Sequence, residues 1–333
     1  MGLFFNKKEA ENYEKIIAEI RANLSDDRES NLKYLKKMCE KYKKHEMANE
    51  ILKEIGRMIF ENTSDEKKEE LNNVIYKEII SHLEKGQDYM KAGDLKNAKK
   101  ELEEFIKTDG IVKEDKVSIP YSPRNPIEFL LCNELNTEKR AKDIGIDYST
   151  GYLRLGSIAI EEKNIDKAVE YLNKSIKFNP YNATARFELI DAYKRKGDLK
   201  LIKEEIDKTY KYIYLPNDLG RFYRDLGYYY IEKEEFELAK CLYVYSIQFD
   251  NTKNDLVINE LQYIFSKTGD KQIPEVEEAM KMITKENIPE FFDKNNIGIV
   301  LYLYKQVQAD KQENSPVGKF IKNIAEFYLK YLK

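Results

Sequence analysis

Small residues recur at fixed offsets among bulky helix formers in YLRLGSIAIEEKNIDKAVEYLNKSIKFNP, from Tyr152 to Pro180. Two antiparallel helices approach closely only where a side chain is nearly absent, so Gly156 on a first helix and Ala168 on a second mark a close crossing. Tyr152, Leu155 and Leu172 fill the space around it, and Pro180 stops the second helix. The same grammar returns three times. It appears in HLEKGQDYMKAGDLKNAKKELEEFIKTDG with Gly86, Tyr89, Ala98, Leu102 and Phe105, and in ARFELIDAYKRKGDLKLIKEEIDKTYKYIY with Leu189, Tyr193, Gly197 and Ile206. Its last clear instance is FYRDLGYYYIEKEEFELAKCLYVYSIQFDN, with Tyr223, Leu226, Gly227, Tyr230, Ala239, Tyr243 and Ser246. Such a chain folds as helix pairs, each burying its apolar face on the next.

This pattern resembles the tetratricopeptide repeat, a helix-turn-helix unit of about 34 residues. The units fall at 79–112, 149–182, 183–216 and 220–253. The third departs from the pattern, with Ile190 and Ile202 where small residues are wanted, so its helices are expected to stand further apart or tilt. NDLVINELQYIFSKTGD and EVEEAMKMITKEN read as a degenerate pair, and 295–308 with 317–331 as a last one. Phe320, Ile324, Tyr328 and Tyr331 lie on one face of the final helix, as a cap over 255–333 requires. The expected fold is all-α: a right-handed superhelical solenoid over 76–333 behind an N-terminal helical bundle over 1–75. Helices in that bundle are predicted near 7–23, 28–44 and 46–61, followed by a long one from Ser64 to Met90 that joins bundle and array rigidly.

The irregular segment 113–148 separates the first two repeats and holds Pro120, Pro123 and Pro126. Asn125 and Pro126 start a short apolar helix there. Ile127, Leu130 and Leu131 need burial, which predicts that the insertion folds back across the array and narrows its groove; a spacer helix continuing the stack is the alternative. The repeats, the insertion and YRDLGYYYIEK together resemble Gram-positive bacterial tetratricopeptide proteins with no assigned activity.

Charge bounds the function. The chain carries 57 basic and 60 acidic residues, a net charge of −3, without the basic surplus of a nucleic-acid protein. Three scattered cysteines, Cys39, Cys132 and Cys241, read as reduced thiols. The start MGLFFN has too short an apolar run for a signal peptide, and Asn6 stands where a myristoylation signal wants Ser or Thr. No stretch is long enough to span a membrane, so the expected location is cytoplasmic. With 14 Gly, 8 Pro and no sustained period-two alternation, no sheet is expected.

Chemistry is sparse. Phosphate loops, zinc-protease motifs and nucleophile elbows are missing from the sequence, and His45 and His82 are the only histidines. His82 falls where the repeat wants a bulky packing residue, and Cys132, beside Leu130 and Leu131, reads as a buried, inert thiol. No cofactor, metal or catalytic activity is expected. By resemblance, tetratricopeptide arrays bind peptides or protein segments along first helices. Repeat phase places Leu83, Gln87 and Met90 there, then Leu153, Arg154, Ser157 and Ile160. The third unit offers Phe187, Asp191, Lys194 and Arg195, and the fourth Arg221, Arg224, Tyr228 and Ile231. Arg and Tyr dominate binding hot spots, and a cationic pair beside an aromatic suits an acidic or carboxylate-bearing peptide. The bland alternative is that Arg224 and Asp191 pair across neighbouring repeats. The Lys–Asn carboxylate clamp of some eukaryotic members has no counterpart, since those positions hold Leu153 and Ser157, Phe187 and Asp191, and Arg224 and Tyr228. A protein- or peptide-binding adaptor or scaffold is the leading reading. A peptide-responsive regulator whose N-terminal bundle contacts a signalling partner comes next, and a noncatalytic subunit of a surface-modifying complex third.

Overall fold

The computed structural model of the protein describes residues 7–111, 114–135 and 138–332. These form sixteen α-helices and one two-stranded sheet. The start MGLFFN, read above for signal and lipidation motifs, lies outside the described residues. The chain divides into two compact units, Met1–Ile79 and Ile80–Lys333.

The first unit contains α1 (Lys7–Ala22), α2 (Arg28–Tyr42), α3 (Ala48–Asn62) and the beginning of α4 (Asp65–Lys91). Ile20, Leu35, Ile51, Ile55 and Met58 form its core. Asp27 starts α2 by accepting a hydrogen bond from the Glu29 backbone N–H. The Asn31 side chain donates to Ser25 O and Asn62 Oδ1, both at 2.7 Å, tying the start of α2 to the end of α3.

In the second unit α4 ends against α5 (Leu95–Ile106), and the insertion follows as β1 (Ser118–Tyr121), α6 (Pro126–Glu134) and β2 (Arg140–Asp143). Three helix pairs follow: α7 (Tyr148–Glu161) with α8 (Ile165–Phe178), α9 (Ala183–Lys196) with α10 (Leu199–Tyr210), and α11 (Pro216–Glu232) with α12 (Phe236–Ser246). Helices α13 (Asn254–Thr268) and α14 (Val276–Lys285) then both pack on α12 instead of forming the expected pair with each other, and α15 (Lys294–Ala309) pairs with α16 (Pro316–Tyr331). Helix α5 packs on α7, α8 on α9, and α10 on α11.

Four of the turns inside these pairs share one geometry. A left-handed residue (Gly93, Lys163, Gly197 or Glu234) precedes the N-terminal cap of the second helix. Glycine adopts that conformation freely, and Lys163 and Glu234 adopt it against their side chains. In three caps, Asp94, Asn164 and Asp198, the side chain accepts from the backbone N–H three residues on.

The crossings explain the small residues. A Cβ on Gly156 would come within 2.7 Å of Leu172 Cγ, one on Gly86 within 2.7 Å of Leu102 Cγ, and one on Gly227 within 2.7 Å of Tyr243 Cε2. Ala98, Ala168 and Ala239 are fully buried on the partner helices. Gly156→Val is therefore expected to cost ~1–3 kcal/mol as overpacking, and Ala168→Leu the same. Thermal midpoints unchanged by both would contradict this crossing.

The insertion corrects two expectations. Strands β1 and β2 pair in parallel from Ser118↔Arg140 to Tyr121↔Asp143, where no sheet was expected. Four residues each, one of them Pro120, are too few to show an alternating pattern. The segment does fold back, but its bonds run to the loops joining one repeat to the next. Ser122 N–H donates to Phe178 O at 2.8 Å, and Ser122 Oγ to Ile146 O at 2.8 Å. Glu128, fully buried, accepts from Arg124, from Asn179 Nδ2 at 2.7 Å and from Tyr214 OH at 2.9 Å. Ile127 and Leu131 are buried among these loops, and α6 packs against α15. The insertion thus buttresses the repeat junctions, and the groove-narrowing lid is replaced by that role.

The last helix pair also reaches this edge. Tyr328 OH donates to Tyr214 O at 2.6 Å, Asn296 Nδ2 to Ile213 O at 2.8 Å, and Tyr210 OH to Phe291 O at 2.9 Å. Phe249, just past α12, packs against Phe291, Phe327 and Tyr331.

Candidate binding surface on the first helices

Two neighbouring cavities open on first helices of the second unit. One, about 400 Å³, is lined by Met90, Leu95, Ser157, Ile158, Ile160, Glu161, Glu188, Asp191 and Arg195. The other, about 370 Å³, is lined by Asp191, Lys194, Arg221, Arg224, Asp225, Tyr228, Tyr243, Lys253, Leu256 and Glu260. Asp191 belongs to both, so the cavities adjoin along α4, α7, α9, α11 and α13.

Helical periodicity builds these walls. Asp191 and Lys194 lie one turn apart on α9, and Arg221, Arg224 (or Asp225) and Tyr228 lie on successive turns of α11. Arg221 Nη2 meets Asp191 Oδ2 at 2.6 Å, with its guanidinium 4.8 Å above the Phe187 ring. Lys194 Nζ bridges Asp225 at 2.5 Å and Asp191 at 3.2 Å and stands 4.7 Å from the centre of the Tyr228 ring. Arg224 Nη2 donates to Asp250 Oδ2 at 2.9 Å. Burial alone would lower the pKa of Lys194, but the carboxylates of Asp225 and Asp191 outweigh it and hold the ammonium charged. Burial raises the carboxyl of Glu260, and likewise that of Glu188.

Most of the residues expected on this surface come together. Asp191, Lys194, Arg221, Arg224 and Tyr228 share one cavity, with Phe187 as a buried floor beneath Arg221. Met90, Ser157, Ile160 and Arg195 line the other. Arg154 is exposed on α7 and lines neither cavity. Sequence reasoning missed Asp225, Lys253, Leu256 and Glu260. The last three belong to α13 and the turn before it, where repeat phase is faint, while Asp225 was overlooked beside Arg224.

The pairing differs from the one anticipated. Asp191 binds Arg221, whereas Arg224 binds Asp250. Both arginines already hold a carboxylate, so the idea that they wait for an acidic peptide loses its physical basis. Four cations on the second cavity wall (Lys194, Arg221, Arg224 and Lys253) face Asp191, Asp225 and Glu260, with Asp250 behind Arg224. The wall is balanced in charge. Beneath it two buried atoms lack a hydrogen-bond partner, Arg224 Nη1 and Asp225 Oδ2, and neither is open to the cavity. Leaving such a group unsatisfied costs about 1–3 kcal/mol.

Behind this surface, Asp218 in the first turn of α11 has its carboxyl pushed up to about 6 by burial, against the pull of Arg124 and Arg221. A carboxyl that holds its proton more tightly when folded adds stability below its unfolded pKa, and that contribution is lost as pH rises through about 6. Asp218→Asn is therefore expected to raise stability near pH 7 by on the order of 1 kcal/mol, and to gain nothing near pH 4. Urea midpoints of both proteins at the two pH values check this; an equal difference at both would contradict it.

Elsewhere the chemistry is quiet. His82 is half-buried and meets Glu101 Oε2 at 2.7 Å, so it ties α4 to α5 through a polar bond where a bulky packing residue was expected. Cys132 is buried, and burial followed by the Glu128 charge pushes its thiol up to about 12. Among the described residues, no group of three or more His, Cys, Asp or Glu could hold a metal ion, and no helix is long and apolar enough to cross a membrane.

A search of curated proteins finds no match to the chain. Residues 149–182, the pair α7–α8, match the tetratricopeptide repeat family model, so this is a chain that contains a tetratricopeptide repeat.

Proposed function

We propose that the chain is a non-catalytic adaptor or scaffold that binds a protein or peptide segment along its first helices. In this reading the pairs wind in a right-handed superhelix whose inner surface the first helices form. The carrying observation is the pair of adjoining cavities, about 400 and 370 Å³, lined mainly by residues of first helices and sharing Asp191. Their walls mix apolar side chains (Met90, Ile160, Leu256) with aromatic and ionic ones, a combination suited to a segment with alternating side chains. Tetratricopeptide repeats generally mediate protein–protein interaction, which agrees with this reading.

Leu256 is exposed and lines one cavity, and Ser157 lines the other. Leu256→Arg and Ser157→Arg fill the cavities while leaving every ion pair of the wall in place. Each is expected to reduce capture of the partner at least tenfold at unchanged helicity. Undiminished capture by both variants would place the binding site elsewhere.

A further inference from the structure

The two cavities on the first helices differ in how far their charges are already engaged. In the one about 400 Å³ in volume, Ile158 and Ile160 are buried on α7 and Met90 and Leu95 are half-buried beside them, which gives it an apolar floor. Its wall carries three carboxylates, Glu161, Glu188 and Asp191, and one cation, Arg195. Asp191 is taken up by Arg221 and Lys194. Among the described residues, Glu161, Glu188 and Arg195 hold no ion pair or hydrogen bond, so the free charge of this wall is one carboxylate in excess.

Glu188 has the most to gain from a partner. It is half-buried, yet it is not among the sealed side chains that lack one, so its oxygens open onto the cavity that it lines. Burial raises its carboxyl against the pull of Arg221, Arg195 and Arg154, and Asp191 adds to the rise. None of those arginines pairs with it: Arg221 is held by Asp191, and Arg154 and Arg195 stand exposed to water.

We propose that this cavity is a socket for a lysine or arginine side chain of the bound segment, its stem over Met90, Leu95 and Ile160 and its charged head on Glu188, with Glu161 at the rim. A long cationic side chain has both parts that the space calls for, methylenes that lose water against an apolar floor and a head that stays charged. That head offsets the cost that burial imposes on the Glu188 carboxylate. An acidic side chain would meet Glu188 and Glu161 as like charges, and an apolar one would bury Glu188 further without a partner. The proposal rests on the reading that the first helices bind a peptide segment.

The test captures a pool of acetylated, amidated octapeptides with the full chain and reads enrichment by mass spectrometry. One position is restricted to Lys, Arg, Gln, Glu or Leu within randomised flanks. Lys and Arg are expected to be enriched by about fivefold or more over Gln, Glu and Leu. Glu188→Gln, nearly isosteric and breaking no ion pair, should reduce that preference to about twofold or less. Glu277→Gln, exposed on α14 and outside the cavity wall, should leave it unchanged, which separates the socket from the acidity of the chain as a whole. A preference for Glu or Leu, or a Lys and Arg preference that Glu188→Gln leaves intact or that Glu277→Gln lowers equally, overturns the socket. Peptides retained without preference at that position also overturn it but leave peptide binding standing. A chain that retains no peptide at all removes both.

Discussion

Arg124→Ala is expected to destabilise the Ile80–Lys333 unit by ~3 kcal/mol, although Arg124 is itself a third exposed. The reason lies in its partner. Glu128 is fully buried, and Arg124 grips it through Nε at 3.0 Å, Nη2 at 2.5 Å and its backbone N–H at 2.7 Å. Without the guanidinium a buried carboxylate keeps only hydrogen bonds, from Asn179, Tyr214 and the backbone. The cost then resembles that of breaking a buried ion pair, far above the ~0–1 kcal/mol of an exposed one such as Lys167–Glu170. Because Glu128 also holds Asn179 and Tyr214, at the junctions on either side of the third repeat, the loss should loosen both junctions and the insertion together. The double variant Arg124→Ala, Glu128→Gln should recover part of the loss, since a neutral amide still accepts from Tyr214. Urea denaturation of the three proteins checks this. A single variant within 0.5 kcal/mol of the parent would mean the insertion is not pinned by charge.

A second large effect separates two arginines that look alike in the sequence. Arg224→Ala is expected to cost ~3 kcal/mol, because Arg224 and Asp250 are 12% and 4% exposed and Asp250 is left charged inside the fold. Arg221→Ala should cost about 1 kcal/mol or less, because Arg221 and Asp191 are 31% and 37% exposed and water can replace the pair. Binding assays that remove both arginines would therefore confound lost affinity with lost structure. Comparing unfolding midpoints of the two single variants is decisive; equal losses would contradict the burial argument.

The helix pairs were legible in the sequence because the crossings demand small residues at fixed phase. Gly86, Gly156 and Gly227 each leave room for a partner side chain, and substitution there is penalised whatever the surface carries. Polar pairing was not legible in the same way. Which carboxylate meets Arg224 depends on a fraction of a helical turn, and Asp250, in the turn after α12, lies outside the pattern of first helices. The insertion was opaque for a related reason. Glu128 reads as an ordinary helix-surface acid in PIEFLLCNE, and only the folded chain brings Asn179 and Tyr214 to it from 51 and 86 residues away. Pro216 shows how a local signal can be passed over, since α11 begins there, four residues before the unit boundary drawn from the repeat.

In the proposed function the first helices, and not the second, form the binding face. Site-specific photo-crosslinking in the cell that makes the protein tests it most directly. The reactive side chain is placed singly at Ser157 and Leu256 on first helices and at Lys174, exposed on α8. Ser157 and Leu256 are expected to capture the same partner segment, and Lys174 none of it. Capture of that segment from Lys174, with nothing from Ser157 and Leu256, would contradict it.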